Sequence, residues 1–294
     1  MKSKTNFGLF YALSAYFIWG IAPLFWKLID KIPAIEILYH RMVWSFVILI
    51  IILTVRKHWA WTFSLFKNWR TLLIYLISSI LLSLNWYTFI WAMNSAYIVE
   101  ASLGYFINPL ISVLMGVIFL KEKLRSGQWL AVAIAALGVL YLTFNYGSFP
   151  WIAITLATTF ATYSLIRKTA ALESLEGLSL EMSFLLIPAL VQLFLLGKTG
   201  TSIFGPENWL QSILLICTGL VTVLPLLLFA AGVRKVTLSL VGLLQYVAPT
   251  LQFSIGVFVF KETFNQTRLI GFIIVWIALI VYTFESLIFQ KKKV

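Results

Sequence analysis

The chain has 294 residues, 61% hydrophobic and only 11% charged, with a formal net charge of +12. Soluble domains carry about 25% charged residues, so no soluble core could hide this much apolar side chain, and the bilayer must be the solvent. In a soluble protein the basic excess would point to nucleic acid; here the charges fall in short loops between apolar runs, where they set topology.

A spanning helix needs about 20 apolar residues, and ten such windows follow one another: 7–29, 35–55, 71–93, 99–120, 127–145, 149–167, 179–197, 209–231, 238–260 and 267–289. They are continuous runs rather than the short alternating strands of a membrane barrel. The expected fold class is therefore an all-α integral membrane protein with ten transmembrane helices. The first run is too long for the apolar region of a signal peptide, and no small-x-small cleavage site follows it, so it reads as a signal-anchor helix. With the N-terminus inside, 16 of the 22 basic residues lie on the inner side, which puts both termini in the cytoplasm. The loop from Arg56 to Arg70 mixes basic residues with Trp59, Trp61 and Trp69, as an interfacial segment does. Cys217 is the only cysteine, which excludes an internal disulfide and a thiol metal cluster. No cofactor or metal is expected.

Within the first helix, Trp19 opens "WGIAPLFWK", where Pro23 frees the carbonyl of Trp19. Helix 2 begins with Glu36, His40 and Arg41. Glu36 and His40 are i,i+4 and share a face, so they form a candidate proton-coupling pair. The alternative is a helix-start carboxylate with Arg41 snorkelling to the interface. Asn85, Trp86 and Tyr87 in helix 3 offer a polar contact and a stacking face to an aromatic or cationic solute. The alternative is an interhelical bond from Asn85 and belt packing by Trp86. Helix 4 opens with Glu100, either a helix-start charge or an outer gate, and runs through Tyr105, Asn108 and Pro109 to Lys121 and Glu122. Pro225 loosens helix 8. Helix 9 carries Gln245, Tyr246 and Pro249 and ends at Lys261 and Glu262. Glu122 and Glu262 are expected to close inter-loop contacts at opposite faces, and Glu285 to sit at the inner interface.

Helices 4 and 9 share the skeleton P-x6-G-V-x3-K-E at an offset of 140 positions, and "WGIAPLFWK" lies over "FATYSLIRK" at about 141. Helices 1–5 and 6–10 thus read as two copies of one unit. An odd helix count inverts the second copy, a transporter signature. The copies are residues 1–147 and 148–294. Pro109 and Pro249 free the carbonyls of Tyr105 and Gln245, which lipid would not satisfy. A water-lined cavity at the repeat interface would, so these prolines are expected hinges. Trp19, Asn85, Trp86, Tyr105, Asn108, Gln245 and Tyr246 are the expected substrate-binding residues.

"EILYHRMVWS", "NWYTFIWAMN", "EASLGYFINPL" and "LLQYVAPTLQF" closely resemble the RarD branch of the EamA family, in the drug/metabolite transporter superfamily. The likeness covers nearly the whole chain; Thr263 and Phe264 depart from the first copy's Lys123 and Leu124. The resemblance implies a five-plus-five inverted-repeat carrier of a small molecule in a bacterial inner membrane. A P-loop and a soluble nucleotide-binding domain are absent from the sequence, which disfavours an ATP-driven pump. A channel or sensor is the alternative, and a membrane enzyme the remotest one: the two histidines, His40 and His58, are far apart and no H-E-x-x-H occurs. The expected partners are a small-molecule solute and the bilayer, with no nucleic acid; a homodimer is left open.

Overall fold

The computed structural model describes residues 2–65, 68–95, 97–261 and 266–291. These residues form only helices: α1 (Lys2–Trp26), α2 (Ala34–Val55), α3 (Ala60–Leu65), α4 (Trp69–Asn94), α5 (Ile98–Leu120), α6 (Ser126–Tyr146), α7 (Trp151–Thr169), α8 (Ser174–Lys198), α9 (Trp209–Val233), α10 (Leu238–Leu244), α11 (Val247–Phe258) and α12 (Gln266–Lys291), with 3₁₀ turns at Lys27–Ile29 and Pro206–Asn208. Among the described residues, eight segments are long and apolar enough to cross a membrane, α10 and α11 together counting as one. A 20-residue helix is about 30 Å long, the thickness of the hydrocarbon core.

The other two expected windows correspond to α7 and α12. Within α12, Leu269–Glu285 is an apolar stretch among the described residues. α7 is less apolar because it carries Thr155, Thr158, Thr159 and Thr162. Each of these hydroxyls donates back to the carbonyl four residues earlier, at 2.6–2.8 Å. A hydroxyl satisfied within its own helix is tolerated where neighbouring helices rather than lipid surround it. α7 sits in such surroundings, with Ala153, Ala157, Ala161, Tyr163 and Arg167 all buried.

The helices pair as α5 on α7, α1 on α9 and α11, α2 on α8 and α9, α4 on α7 and α8, α10 on α5, and α6 on α12. The last pair is tied at one end by Arg125, whose Nε and Nη2 donate to the Glu285 carboxylate at 2.5 and 2.6 Å. Apolar side chains cover much of the outer surface, as a lipid-facing bundle requires: Phe10, Leu28, Ile118, Phe144 and Ile187 are all exposed. Small residues let backbones approach closely inside the bundle. A Cβ on Gly242 of α10 would lie 2.7 Å from the Pro109 carbonyl oxygen of α5.

The two proline-bearing segments differ. α5 runs unbroken through Pro109. The corresponding span is interrupted between Leu244 and Val247, ahead of Pro249. There the freed Gln245 carbonyl accepts from Ala248 N–H at 3.2 Å. A local 3₁₀-type bond, rather than cavity water alone, thus answers the expectation that this carbonyl needs a partner. Lys121 and Lys261, the lysines of the two matched K-E pairs, both take positive φ, 54° and 57°. Lys121 ends α5 as a left-handed cap, a conformation that usually selects Gly or Asn, whereas α11 ends at Phe258 with Val259 right-handed and Lys261 follows beyond it. Glu262, Thr263 and Phe264 lie outside the described residues.

Candidate functional site

A cavity of about 520 Å³ lies between α1, α2, α4, α5, α7, α9 and the α10–α11 span. At one end it is lined by Lys27, Asp30 and Phe260. The Lys27 and Asp30 side chains are 62% and 44% exposed, so the cavity opens to solvent there. Lys27 Nζ donates to Asp30 Oδ2 at 2.7 Å, and that bond holds the Asp30 carboxyl below the usual carboxylate range.

The floor is built from buried polar groups. Tyr16, Asn108 and Gln245 line the cavity and are almost wholly buried. Ser112 Oγ donates to Asn108 Oδ1 at 3.3 Å and accepts from Gln245 Nε2 at 3.5 Å. The Tyr16 hydroxyl and Gln245 Oε1 have no partner of good geometry. Pro23 opens the α1 ladder, and the Trp19 carbonyl it frees accepts from Gln252 Nε2 at 3.1 Å. A helix break is thus answered by a side chain at the cavity wall, as the bilayer interior requires.

Trp19 packs against the Phe160 and Phe229 rings at 5.9 and 5.7 Å. Asn85 reaches across to α7, its Nδ2 donating to the Leu156 carbonyl at 2.8 Å and to Thr159 Oγ1 at 3.0 Å. It therefore makes the interhelical bond and also lines the cavity. Trp86 offers its face to the Arg41 guanidinium at 4.5 Å, and Trp26 does the same at 5.1 Å. Arg41 Nε donates to Thr222 Oγ1 at 3.0 Å. Arg41 thus turns into the protein instead of snorkelling outward. Tyr105 also lines the cavity, edge-on to Phe89 at 5.9 Å. Sequence reasoning left Arg41, Tyr16, Trp26, Thr222 and Gln252 out of the expected binding set. Of these, Arg41 was legible: it lies five residues beyond Glu36, about 140° round the helix from it.

Tyr246 lies away from the cavity. It is fully buried, and its hydroxyl donates to the Phe106 carbonyl at 3.1 Å. Pro109 and Pro249 stand behind the wall, beside Asn108 and Ala248. Glu36 and His40 form a separate group. Glu36 Oε1 accepts from Ser202 Oγ, Ile203 N–H and Phe204 N–H at 2.7, 2.9 and 3.3 Å. His40 Nδ1 accepts from Trp44 Nε1 at 3.2 Å, and the Phe204 ring covers the imidazole at 4.7 Å. His40 Nε2 lies 3.9 Å from Glu36 Oε1. His40 Nε2 and Glu36 Oε2 are buried without hydrogen-bond partners.

The end of the bundle remote from Lys27 is sealed. A Cβ on Gly8, near the start of α1, would meet Lys235 and Val236. There Glu122 accepts from Leu238 N–H at 2.6 Å and from Ser239 N–H and Oγ at 2.9 and 2.7 Å, capping α10. Lys168 Nζ donates to the Val233 carbonyl at 3.0 Å and also to that of Val236. Arg234 Nη1 donates to the Ala170 and Leu172 carbonyls at 2.7 and 2.9 Å. At the opposite end, the one Lys27 shares, Glu100 caps α7 at its start, accepting from Ile152 N–H at 2.7 Å and from the Tyr146 hydroxyl at 2.8 Å.

A profile of the EamA-like transporter family matches residues 6–144. The chain is 44% identical over 286 residues to Protein RarD of Streptomyces exfoliatus, covering 97% of this chain and 91% of that one. It is 40% identical over 289 residues to Protein RarD of Escherichia coli strain K12, covering 98% of both. An uncharacterized transporter of Bacillus subtilis strain 168, YojE, is 43% identical over 294 residues, covering 98% of this chain and 97% of that one. One solved crystal structure has the same fold, with a TM-score of 0.68 at 17% identity over 96% of this chain and 98% of that chain. A helical bundle built around a solvent-open cavity and related over nearly its whole length to RarD proteins and a named transporter is a multi-pass membrane transporter, and the chain belongs to the EamA family, in its RarD branch.

Proposed function

We propose that the protein is a secondary carrier that moves a small organic metabolite or drug across a bacterial inner membrane by alternating access. In this reading the chain has ten spans in two inverted repeats, residues 1–147 and 148–294, with both termini cytoplasmic. The observation that carries it is a mainly apolar cavity with a few buried polar groups, open at one end and closed by hydrogen bonds at the other. A channel needs no such one-sided seal. Topology from the basic residues makes the open end the outer one.

The repeat reading also draws on contacts between matched residues. Phe160 lies 141 positions after Trp19, and their rings meet at 5.9 Å. Tyr246 lies 140 positions after Phe106 and bonds to its carbonyl. Residues related by a two-fold axis meet each other where that axis passes. The helix pairings are reciprocal in the same sense: α1 with α11 mirrors α7 with α5, and α2 with α9 mirrors α8 with α4. Trp19, Asn85, Trp86, Tyr105, Asn108 and Gln245 are the side chains through which solute would be held, and Pro109 and Pro249 are the hinges about which the helices would bend. The buried Glu36 and His40, each with an unpartnered atom, are where a coupled proton would reside.

The test uses single cysteines at positions 105, 108 and 245 after Cys217→Ser, in vesicles of either orientation. Small polar maleimides should reach all three from the outer face, and from the inner face only as outer access falls. Equal and simultaneous labelling from both faces would make it a channel. No labelling from either face would place the solute path elsewhere.

A further inference from the structure

Three charged residues line the cavity: Lys27, Asp30 and Arg41. Lys27 and Asp30 neutralise each other at 2.7 Å. Arg41 has no such partner, since among the described residues no carboxylate lies within ion-pair distance of it. The cavity therefore carries one net positive charge, inside a bundle where an isolated cation is costly.

The surroundings of Arg41 are built rather than incidental. Two indole faces, from α1 and α4, hold the guanidinium, and Thr222 from α9 fixes its Nε. A guanidinium has five N–H donors. Its Nε–H is used by Thr222, and the terminal nitrogens bond to no described residue. They are also absent from the sealed atoms without partners, so they remain accessible from the cavity. An arginine kept only for packing would have these donors satisfied by backbone carbonyls, as Arg234 has at Ala170 and Leu172. Arg41 instead offers a planar fork, the geometry that matches a carboxylate or phosphate in bidentate fashion. Beside it lie aromatic walls.

We propose that Arg41 is the anion-binding residue of the cavity and that the solute is an amphipathic organic carboxylate with an aromatic or apolar body. This names the cargo class of the carrier reading and rests on that reading for the word cargo alone; the anion site itself can be tested without transport. The purified full chain in lipid nanodiscs is titrated with matched sets of 3-phenylpropionate, 3-phenylpropionamide and 3-phenylpropylammonium, read as thermal stabilisation. Charge-assisted hydrogen bonds contribute about 1.5–3 kcal/mol, so the carboxylate should bind at least about tenfold tighter than the amide. Arg41→Gln should remove that preference, weakening carboxylate binding at least about tenfold more than amide binding. Arg41→Lys keeps the charge but not the fork, so it should retain the sign of the preference at reduced size, and it guards against a fold defect in Arg41→Gln. Equal or tighter binding of the amide or the ammonium compound, or a carboxylate preference that survives in Arg41→Gln, would overturn the proposal. So would a failure of all three compounds to bind at millimolar concentration, because a preformed fork between two indoles must hold a carboxylate at that level. Counterflow in reconstituted vesicles separates the two ideas. Counterflow of neutral or cationic solutes alone keeps the carrier and removes the anion site. Carboxylate binding without counterflow of any solute keeps the anion site and removes the carrier.

Discussion

Glu122→Gln should release the sealed end of the bundle. In the closed arrangement one carboxylate holds three donors at the start of α10, at 2.6, 2.7 and 2.9 Å. A glutamine keeps a carbonyl for one or two of them, loses the charge that strengthens all three, and brings an NH₂ against backbone N–H groups. One charge-assisted bond contributes about 1.5–3 kcal/mol, and the lost interaction with the helix N-terminus adds about 0.3–1 kcal/mol. The combined loss is about 3 kcal/mol, which shifts a two-state equilibrium by about 150-fold. The measurement is maleimide labelling of Asn108→Cys, on the Cys217→Ser background, from each face of the membrane. Inner-face labelling should rise at least tenfold and outer-face labelling should fall. If both rates stay at the Glu122 values while the protein melts at an unchanged temperature, the cap does not hold the seal and the reasoning fails.

Gly242→Ala should place a methyl 2.7 Å from the Pro109 carbonyl oxygen. Overpacking costs about 1–3 kcal/mol, visible as a lower melting temperature in nanodiscs and a wider spacing between paired spin labels on α5 and α10. Glu181→Ala should be the most damaging single change considered. Arg167 and Glu181 are 1% and 0% exposed and 3.4 Å apart, with Ser78 donating to the same carboxylate at 2.6 Å. Leaving one buried charge unpaired costs about 3–5 kcal/mol, so detergent-solubilised protein should aggregate at temperatures the parent survives. His40→Asn should make solute uptake insensitive to an imposed pH gradient while preserving the Glu36 bonds to Ser202, Ile203 and Phe204. Full gradient-driven transport in that variant would leave the pair with the loop-anchoring role alone.

Much of this was legible in the chain because membrane helices announce themselves by length and apolarity, and prolines by chemistry. The outlying case is α7. Its threonines lower its apolarity, and only its central position, with each hydroxyl turned back onto its own helix, explains why the bundle accepts them. Six of the seven expected binding residues line the cavity because they sit beside helix breaks or on the polar faces of helices. Tyr246 does not, although it adjoins Gln245. At the α10–α11 junction successive side chains point to different sides, and a spacing rule cannot say which side faces the cavity. The floor and the Arg41 site were hidden for another reason. Thr222 lies 181 positions from Arg41 and Gln252 lies 233 from Trp19. Such partners meet only through the packing of α1, α2, α9 and α11, which no local pattern encodes.

The lone guanidinium also bears on what the vestibule keeps out. A water-filled inlet reaching toward the centre of a bilayer is a ready leak path for sodium ions and protons. At about 5 Å and an effective dielectric constant of about 20, a monovalent cation is repelled from Arg41 by about 3 kcal/mol. That lowers its local concentration roughly two hundredfold. In the proposed carrier the inlet would therefore be poor in cations between turnovers, and closing it would trap few. Glu36 and His40 do not line this inlet, and Phe204 over the imidazole and Ser202 on the carboxylate are their neighbours instead, so a proton coupled through them in the proposed carrier would take a route apart from the solute's.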